Sequence, residues 1–442
     1  MRTLLILLAL SQAACVETSL ELGSGDTDKR GDRTDTGDTV EHVDDTDTTG
    51  DTDIETTGDT AVDTSVDTDV EEPETWPKAC DDLYDPDTLQ VFELDFEPED
   101  WAAVQSDCAN YAQAYRPVQL TYEGETVPAM VRLKGNWSWS CDKMQFVVSF
   151  NEEDPTGRFH GQRKLMFDAP WYDHTLMHER LAFPLFEARG LPYSCANSAR
   201  IMVNGAYYGL YTNIERIDKE YLERHFEEPD GNLYQGGSEL KTNEDVGDTS
   251  RLQALQAATT VEQIAALVDL DQAVAEWATE AMIPALDNYW AGVEINYYLY
   301  DHPSRGFVYL PYDLDISFGD SAYPGGGGLV WPDAVNADPL THEHSGWGKE
   351  ALVKTVLADR GWCERFVEEL TLTRAAYDPA AMWAQAEVWN EQIGGALVED
   401  TRKPFSRAEH AAAMANLESF LVARADFVDA WLAEGGHCPV RW

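Results

Sequence analysis

The feature that most constrains this 442-residue chain is an abrupt change of composition near residue 75. Residues 16–75 carry 21 Asp and Glu against Lys29, Arg30 and Arg33, a net charge of −18. They repeat Asp-Thr, as in Asp44-Asp45-Thr46-Asp47-Thr48-Thr49-Gly50-Asp51-Thr52-Asp53, and are nearly free of aromatic residues. Such a segment cannot bury enough apolar area to offset the entropy of ordering it, and its like charges keep it extended. It reads as a disordered tether. A folded calcium loop fits less well: in Asp45-x-Asp47-x-x-Gly50 the third ligand slot holds Thr49, and Glu55 comes one residue early. Most of the 14 Trp, 19 Tyr and 15 Phe lie beyond residue 75, ample for a sizeable core. The whole chain bears a formal charge of −50. That disfavours nucleic acid as a partner, because phosphate contacts need clustered Lys and Arg. A phosphorylated ligand would need a metal ion to offset repulsion.

Met1-Arg2-Thr3, the apolar run Leu4 to Leu10 and the small residues before Cys15 form a secretory signal too short to span a bilayer. Leu10-Ser11-Gln12-Ala13-Ala14-Cys15 resembles a lipobox, with Gln12 where Leu is usual. Residues 1–15 are therefore expected to be a lipoprotein-type signal ending at an acylated cysteine. The expected location is the bacterial cell envelope, periplasmic or at the cell surface, with membrane contact through the lipid anchor only. Six further cysteines, Cys80, Cys108, Cys141, Cys195, Cys363 and Cys438, suit disulfides in an oxidising compartment, and no CxxC pair suggests a zinc or redox site.

From Trp76 the pattern is globular. Val91 to Phe96 alternates like a strand, and Pro98-Glu99-Asp100-Trp101 opens a helix. Hairpins are expected at 118–122 with 129–133 around the turn Glu123-Gly124-Glu125, and at 201–203 with 209–211 around Asn204-Gly205. Gln145 to Phe150 reads as a strand, and 174–189 as a helix stopped by Gly190. Beyond 250 the sequence becomes helical, interrupted by strands at 296–300 and 307–310. The expected class is α+β. A largely antiparallel β-rich lobe spans about 76–245, a mainly helical lobe about 246–442, and a cleft lies between them. Gly325-Gly326-Gly327-Gly328 lacks the Lys-Ser/Thr of a P-loop and reads as a loop at the cleft mouth. His342, Glu343 and His344 form a weaker metal-cluster candidate.

Three stretches resemble the spore coat protein H (CotH) kinase family. They are Val131-Arg132-Leu133-Lys134-Gly135-Asn136-Trp137-Ser138 with Lys143, then Val203-Asn204-Gly205-Ala206-Tyr207-Tyr208-Gly209-Leu210-Tyr211-Thr212-Asn213-Ile214-Glu215 with Gly231-Asn232-Leu233-Tyr234, then Asn296-Tyr297-Tyr298-Leu299-Tyr300 with Pro311-Tyr312-Asp313-Leu314-Asp315-Ile316-Ser317-Phe318-Gly319. Order and spacing agree from about 88 to 322, with helices beyond. The resemblance implies a two-lobed, atypical protein-kinase-like fold. It also implies ATP with Mg²⁺ or Mn²⁺ as cofactors, and transfer of the γ-phosphoryl group to Ser or Thr of a surface or secreted protein.

By the same resemblance Asp313 and Asp315 are metal ligands, with Asn296 as a further one. Asp287 orients the acceptor hydroxyl as base. Lys143 neutralises nucleotide phosphate with Glu179 as its ion-pair partner, Lys134 competes for that role, and Arg132 also faces phosphate. Glu215 is expected near the nucleotide or the lobe junction. Two departures stand out. Tyr312 replaces the family's usual Trp, and Gln235 stands where Lys is usual after Leu-Tyr. ATP is also scarce outside the cytoplasm, so an inactive, kinase-like binding or structural module is the alternative reading.

Overall fold

The computed structural model describes residues 78–136, 138–293, 295–319, 334–342, 351–436 and 438. The signal segment, the tether, the Gly325–Gly328 run, Glu343 and His344 lie outside the described residues.

Alternation of apolar and polar residues drives the first half. Strands β1 (Gln90–Asp95), β2 (Arg116–Tyr122), β3 (Glu125–Lys134), β4 (Gln145–Ser149) and β5 (Lys164–Asp168) form with helix α1 (Pro98–Ala109) between the first two. Helix α2 (His178–Ala188) and the hairpin β6 (Ala196–Val203) and β7 (Ala206–Ile214) follow. The sheet does not stay open. It closes as a barrel in the order β1-β2-β3-β4-β5-β7-β6 through a parallel β1–β6 pair. Closure removes the free edges that an open sheet would expose. Phe92, Leu94, Leu120, Val131, Leu133, Phe146, Val148, Leu165, Phe167 and Ile201 fill its interior. Asn204 and Gly205 take positive φ at the β6–β7 turn, and the Asn204 side chain accepts a bond from Phe96 N (2.7 Å).

The next strands belong elsewhere. Helix α3 (Lys219–His225) leads to β8 (Asn232–Gln235) and β9 (Glu239–Leu240), then α4 (Ser250–Gln256), α5 (Val261–Ala265) and α6 (Leu270–Met282). β8 pairs with β10 (Tyr297–His302), which pairs with β11 (Gly306–Pro311). The chain thus leaves the barrel after Ile214, some thirty residues before the break expected near 245. Gly231-Asn232-Leu233-Tyr234 joins the second sheet because Leu233 and Tyr234 are buried on opposite faces. The same two-residue period places Tyr297, Leu299, Phe307 and Tyr309 towards α6, and Tyr298, Tyr300, Val308 and Leu310 towards α3. Helices α7 (Ala351–Ala358), α8 (Arg360–Ala376), α9 (Pro379–Glu399) and α10 (Arg407–Ala433) complete the order. The result is mixed α/β, with an N-terminal β region and a C-terminal helical region.

Helix α6 is central and buried nearly all round, with Gln272, Glu276, Thr279 and Glu280 among its buried residues. Gln272 pins it to β11, donating to Tyr309 O (2.8 Å) and accepting from Tyr309 N (2.9 Å). α2 begins four residues later than 174. Asp173 accepts bonds from Thr175 N and His178 N, and Leu176 sits at positive φ, so a capped turn precedes the helix. Among the described residues no helix is long and apolar enough to cross a membrane.

The six cysteines pair as Cys80–Cys195, Cys108–Cys141 and Cys363–Cys438. Cys80–Cys195 closes a separation of 115 residues. Replacing both cysteines by Ser is expected to cost about 2–4 kcal/mol, read as a lower denaturation midpoint. An unchanged midpoint would contradict a stabilising role for that bond.

Candidate active site

The outer face of β3–β5 carries charge where the inner face carries the barrel core. On β3, Val131 and Leu133 point inward, leaving Arg132 and Lys134 outside. On β5, Leu165 and Phe167 point inward, leaving Lys164, Met166 and Asp168 outside. Tyr312, just after β11, reaches this face and its hydroxyl contacts Met166 Sδ (3.8 Å). The loop that follows therefore lies against the barrel, and its first residue is Asp313.

That loop is tightly held. Asp313 and Phe318 adopt positive φ, a conformation that side-chain-bearing residues rarely take and that concentrates at functional sites. Leu286 N donates to Ile316 O (3.1 Å) and Phe318 N to Ile283 O (2.8 Å). His178 Nδ1 bonds Asp315 O (2.7 Å), linking the loop to the first turn of α2. Gly319 has φ +80°, and a Cβ there would lie 2.7 Å from the Phe420 ring. Asn288 donates to both Asn296 O and Tyr312 O at 2.8 Å, joining the segments before β10 and after β11. Glu280 Oε2 accepts from Trp290 N (2.8 Å) and anchors the same turn to α6.

The arrangement gathers five carboxyl groups, Asp168, Glu179, Asp287, Asp313 and Asp315, that act on one another electrostatically. Lys134 is the cation among them. It pairs with Asp168, and Asp313 and Glu179 also act on it. Burial would lower the Lys134 pKa, but these anions outweigh it and hold the ammonium above its ordinary value. Burial pushes Asp313 up to about 6, with Lys134 opposing and Asp168 adding. Burial also drives Asp315 well up, reinforced by Asp313, Asp287 and Glu179. Glu179 is raised by burial and by Asp168 and Asp313. Asp287 is raised by burial and Asp313, while Asn296 opposes by donating to its Oδ2 (2.7 Å). Asp287 Oδ1 and Glu179 Oε1 are buried without a hydrogen-bond partner. Unsatisfied buried carboxylate oxygens beside one ammonium suit an added cation.

Among the described residues no three Asp, Glu, His or Cys side chains form a ready metal cage. Mg²⁺ does not require one. It is usually held by one or two carboxylates, with waters and substrate phosphates completing the shell.

The structure brings together Asp287, Asn296, Asp313, Asp315, Glu179 and Lys134 from the sequence-based set. One expectation needs correction. Lys143 does not meet Glu179. It is fully buried, pairs with Asp400 (2.5 Å) and lies over the Tyr211 ring (4.4 Å). Burial lowers its pKa to about 8 against the pull of Asp400, with Arg402 and Lys403 as its other charged neighbours. Glu215 is also fully buried, held by Arg224 through Nε (2.8 Å) and Nη2 (2.6 Å) and by Cys195 N (3.1 Å). It braces the junction beside the Cys80–Cys195 bond because a buried carboxylate needs a bonded cation. Arg132 is tied to Gln113, Leu133 O and the Tyr115 hydroxyl. Sequence reasoning missed Asp168 and Asn288. The first ends a strand whose middle, Leu165-Met166-Phe167, is a continuous apolar run, and the second adjoins Asp287.

With this geometry in place, a family model described as CotH kinase protein matches residues 131–428. The chain belongs to the CotH family. No curated protein matches it. Among solved structures it is similar to the crystal structure of a Helicobacter pylori proinflammatory kinase, CtkA. The two align over 66% of this chain and 94% of that one, at 11% identity and a TM-score of 0.35.

Proposed function

We propose that this chain is a lipid-anchored protein of the cell envelope that transfers the γ-phosphoryl group of ATP to Ser or Thr of exported proteins. The family supports a kinase-like activity. The single observation that carries the reading is the buried excess of carboxyl groups facing Lys134. Asp313 and Asp315 would hold Mg²⁺ or Mn²⁺, with the Asn296 amide oxygen as a further ligand. The ion would supply charge compensation for the phosphates. Lys134 binds a phosphate oxygen, and Glu179 and Asp168 hold its ammonium in place. Asp287 accepts the acceptor hydroxyl's proton at Oδ1, because Oδ2 is committed to Asn296.

Purified protein with γ-labelled ATP, Mg²⁺ and a Ser/Thr-rich acceptor is expected to incorporate phosphate. No incorporation with either Mg²⁺ or Mn²⁺, together with no nucleotide binding, would overturn the reading in favour of a non-catalytic module.

The raised carboxyl pKa values fix a pH dependence. A carboxyl whose folded pKa exceeds its unfolded value binds protons better in the native state. Its contribution is favourable below the unfolded value of 3.8 and is lost as pH rises through about 6 for Asp313. Buried histidines such as His225, lowered by burial, act in the opposite sense. The carboxyl contribution is therefore read as wild type against Asp313→Asn. Without metal, wild type should lose melting temperature relative to the variant between pH 5 and 7.5. Mg²⁺ with ATP should restore it, more at pH 7.5 than at pH 5, because the cation competes with protons. A difference between the two proteins that does not change with pH would contradict the site electrostatics.

A further inference from the structure

A second charged feature adjoins the carboxyl cluster and has the opposite sign. The Tyr115 hydroxyl accepts from Arg132 Nε (3.3 Å) and from Lys164 Nζ (3.1 Å). Both cations also lie over the Tyr115 ring, at 5.7 and 5.4 Å from its centroid. Two like charges thus converge on one neutral oxygen, which keeps its own O–H to donate. Arg216, half-buried just beyond β7, is a third cation, with Tyr115, Tyr298 and Tyr312 as its electrostatic neighbours besides Asp218.

Carboxylates neutralise other arginines nearby: Arg224 pairs with Glu215, and Arg158 and Arg163 pair with Glu220. Asp218 is the carboxylate that acts on Arg216. Lys164 has only Glu152, at 3.8 Å. Glu152 and Asp218 thus face three cations, one negative charge short of balance, and an incoming oxyanion would supply it.

The cation group differs from the Lys134 end of the carboxyl cluster. Arg132 and Lys134 project from the same face of β3, about 6.8 Å apart along the strand. Carboxyl groups that need a metal surround Lys134, whereas Arg132, Lys164 and Arg216 gather around tyrosines. A metal-chelated phosphate tail suits the first environment. A bare oxyanion suits the second.

We propose that Arg132, Lys164, Arg216 and the Tyr115 hydroxyl form an anion subsite beside the carboxyl cluster, taking a phosphorylated or acidic side chain of the acceptor polypeptide. This assignment of substrate class rests on the phosphotransfer reading. The subsite would select acceptors carrying a negative group near the modified hydroxyl, and it works without metal.

The test is a calorimetric titration of inorganic phosphate into the full chain in EDTA. Wild type is compared with Arg216→Met and Lys164→Met, each checked for an unaltered melting transition. Phosphate should bind wild type without metal, and each substitution should weaken it at least about tenfold, as expected for loss of one charge-assisted contact. A second arm repeats the titration with a saturating non-hydrolysable ATP analogue and Mg²⁺, where phosphate binding should persist. No binding in EDTA, or binding indifferent to both substitutions, would overturn the subsite. Displacement of phosphate by the analogue would overturn its assignment to the acceptor and give the cations to the nucleotide. Phosphate binding by a protein that binds no nucleotide would support the subsite while removing the kinase reading.

Discussion

Replacing Asp313 by Asn is expected to remove phosphoryl transfer and at the same time make the metal-free protein more stable. The two effects share one cause. Asp313 sits at positive φ in the loop after β11, buried beside Asp168 and Lys134. Its ionised form is disfavoured by burial and by Asp168, so a neutral amide of the same shape relieves the apo state. A rise in melting temperature of about 2–4 °C corresponds to roughly 1 kcal/mol in a domain of moderate size. With metal and nucleotide present the ordering reverses, because the amide cannot balance the cation. Turnover should fall by about a thousandfold or more, the usual scale for losing a group that compensates transition-state charge. If the variant were instead less stable without metal, the carboxylate would be a structural element, and its place in the site would need another explanation.

The second large effect separates the two lysines. Lys143→Met is expected to destabilise the fold by about 3–5 kcal/mol, because it strands Asp400 as an unpaired buried charge. Asp400 also accepts from Leu210 N (2.9 Å) and Arg402 N (2.8 Å), so the barrel and the end of α9 loosen together. Protein that remains folded at low temperature should keep its affinity for nucleotide. Lys134→Met should do the reverse, with little change in melting temperature and nucleotide binding weakened at least about tenfold. Its side chain is partly exposed, and the carboxyl groups left behind can protonate or hydrate. Nucleotide titrations of both variants at 10 °C, alongside denaturant melts, would show the contrast. Equal loss of binding in both would contradict the assignment of Lys134.

The contrast also shows how far the sequence could be read. Hairpins announced by Asn204-Gly205 and by Glu123-Gly124-Glu125 were legible because a short turn fixes its own register. The parallel β1–β6 pair that closes the barrel was not. It joins residues more than a hundred positions apart, and no local pattern encodes that partner. Asp313, Asp315 and Asn296 could be named because they lie in the stretch that resembles the family, and Asp287 by the same resemblance. Lys134 could have been preferred on alternation alone, since Val131 and Leu133 commit it to the outer face of β3. Lys143 follows Cys141-Asp142, where no alternation sets its direction, and its partner lies 257 residues away. Glu215 was left with two places, the nucleotide or the lobe junction, because nothing in its own strand announces its counter-charge, Arg224 on α3. Asp168 was overlooked because the strand it ends is short and lies between loops.

The central claim is that cation and nucleotide bind this carboxyl cluster together, each making the other's binding possible. The most direct measurement is a pair of linked titrations, Mn²⁺ followed by paramagnetic resonance with and without ATP, and ATP followed by calorimetry with and without Mn²⁺. Linkage requires the two enhancements to be equal. The account predicts weak binding of either alone, at least about tenfold tighter binding of each in the presence of the other, and loss of that coupling in Asp313→Asn. ATP affinity unchanged by EDTA, or Mn²⁺ affinity unchanged by ATP and by the substitution, would contradict it.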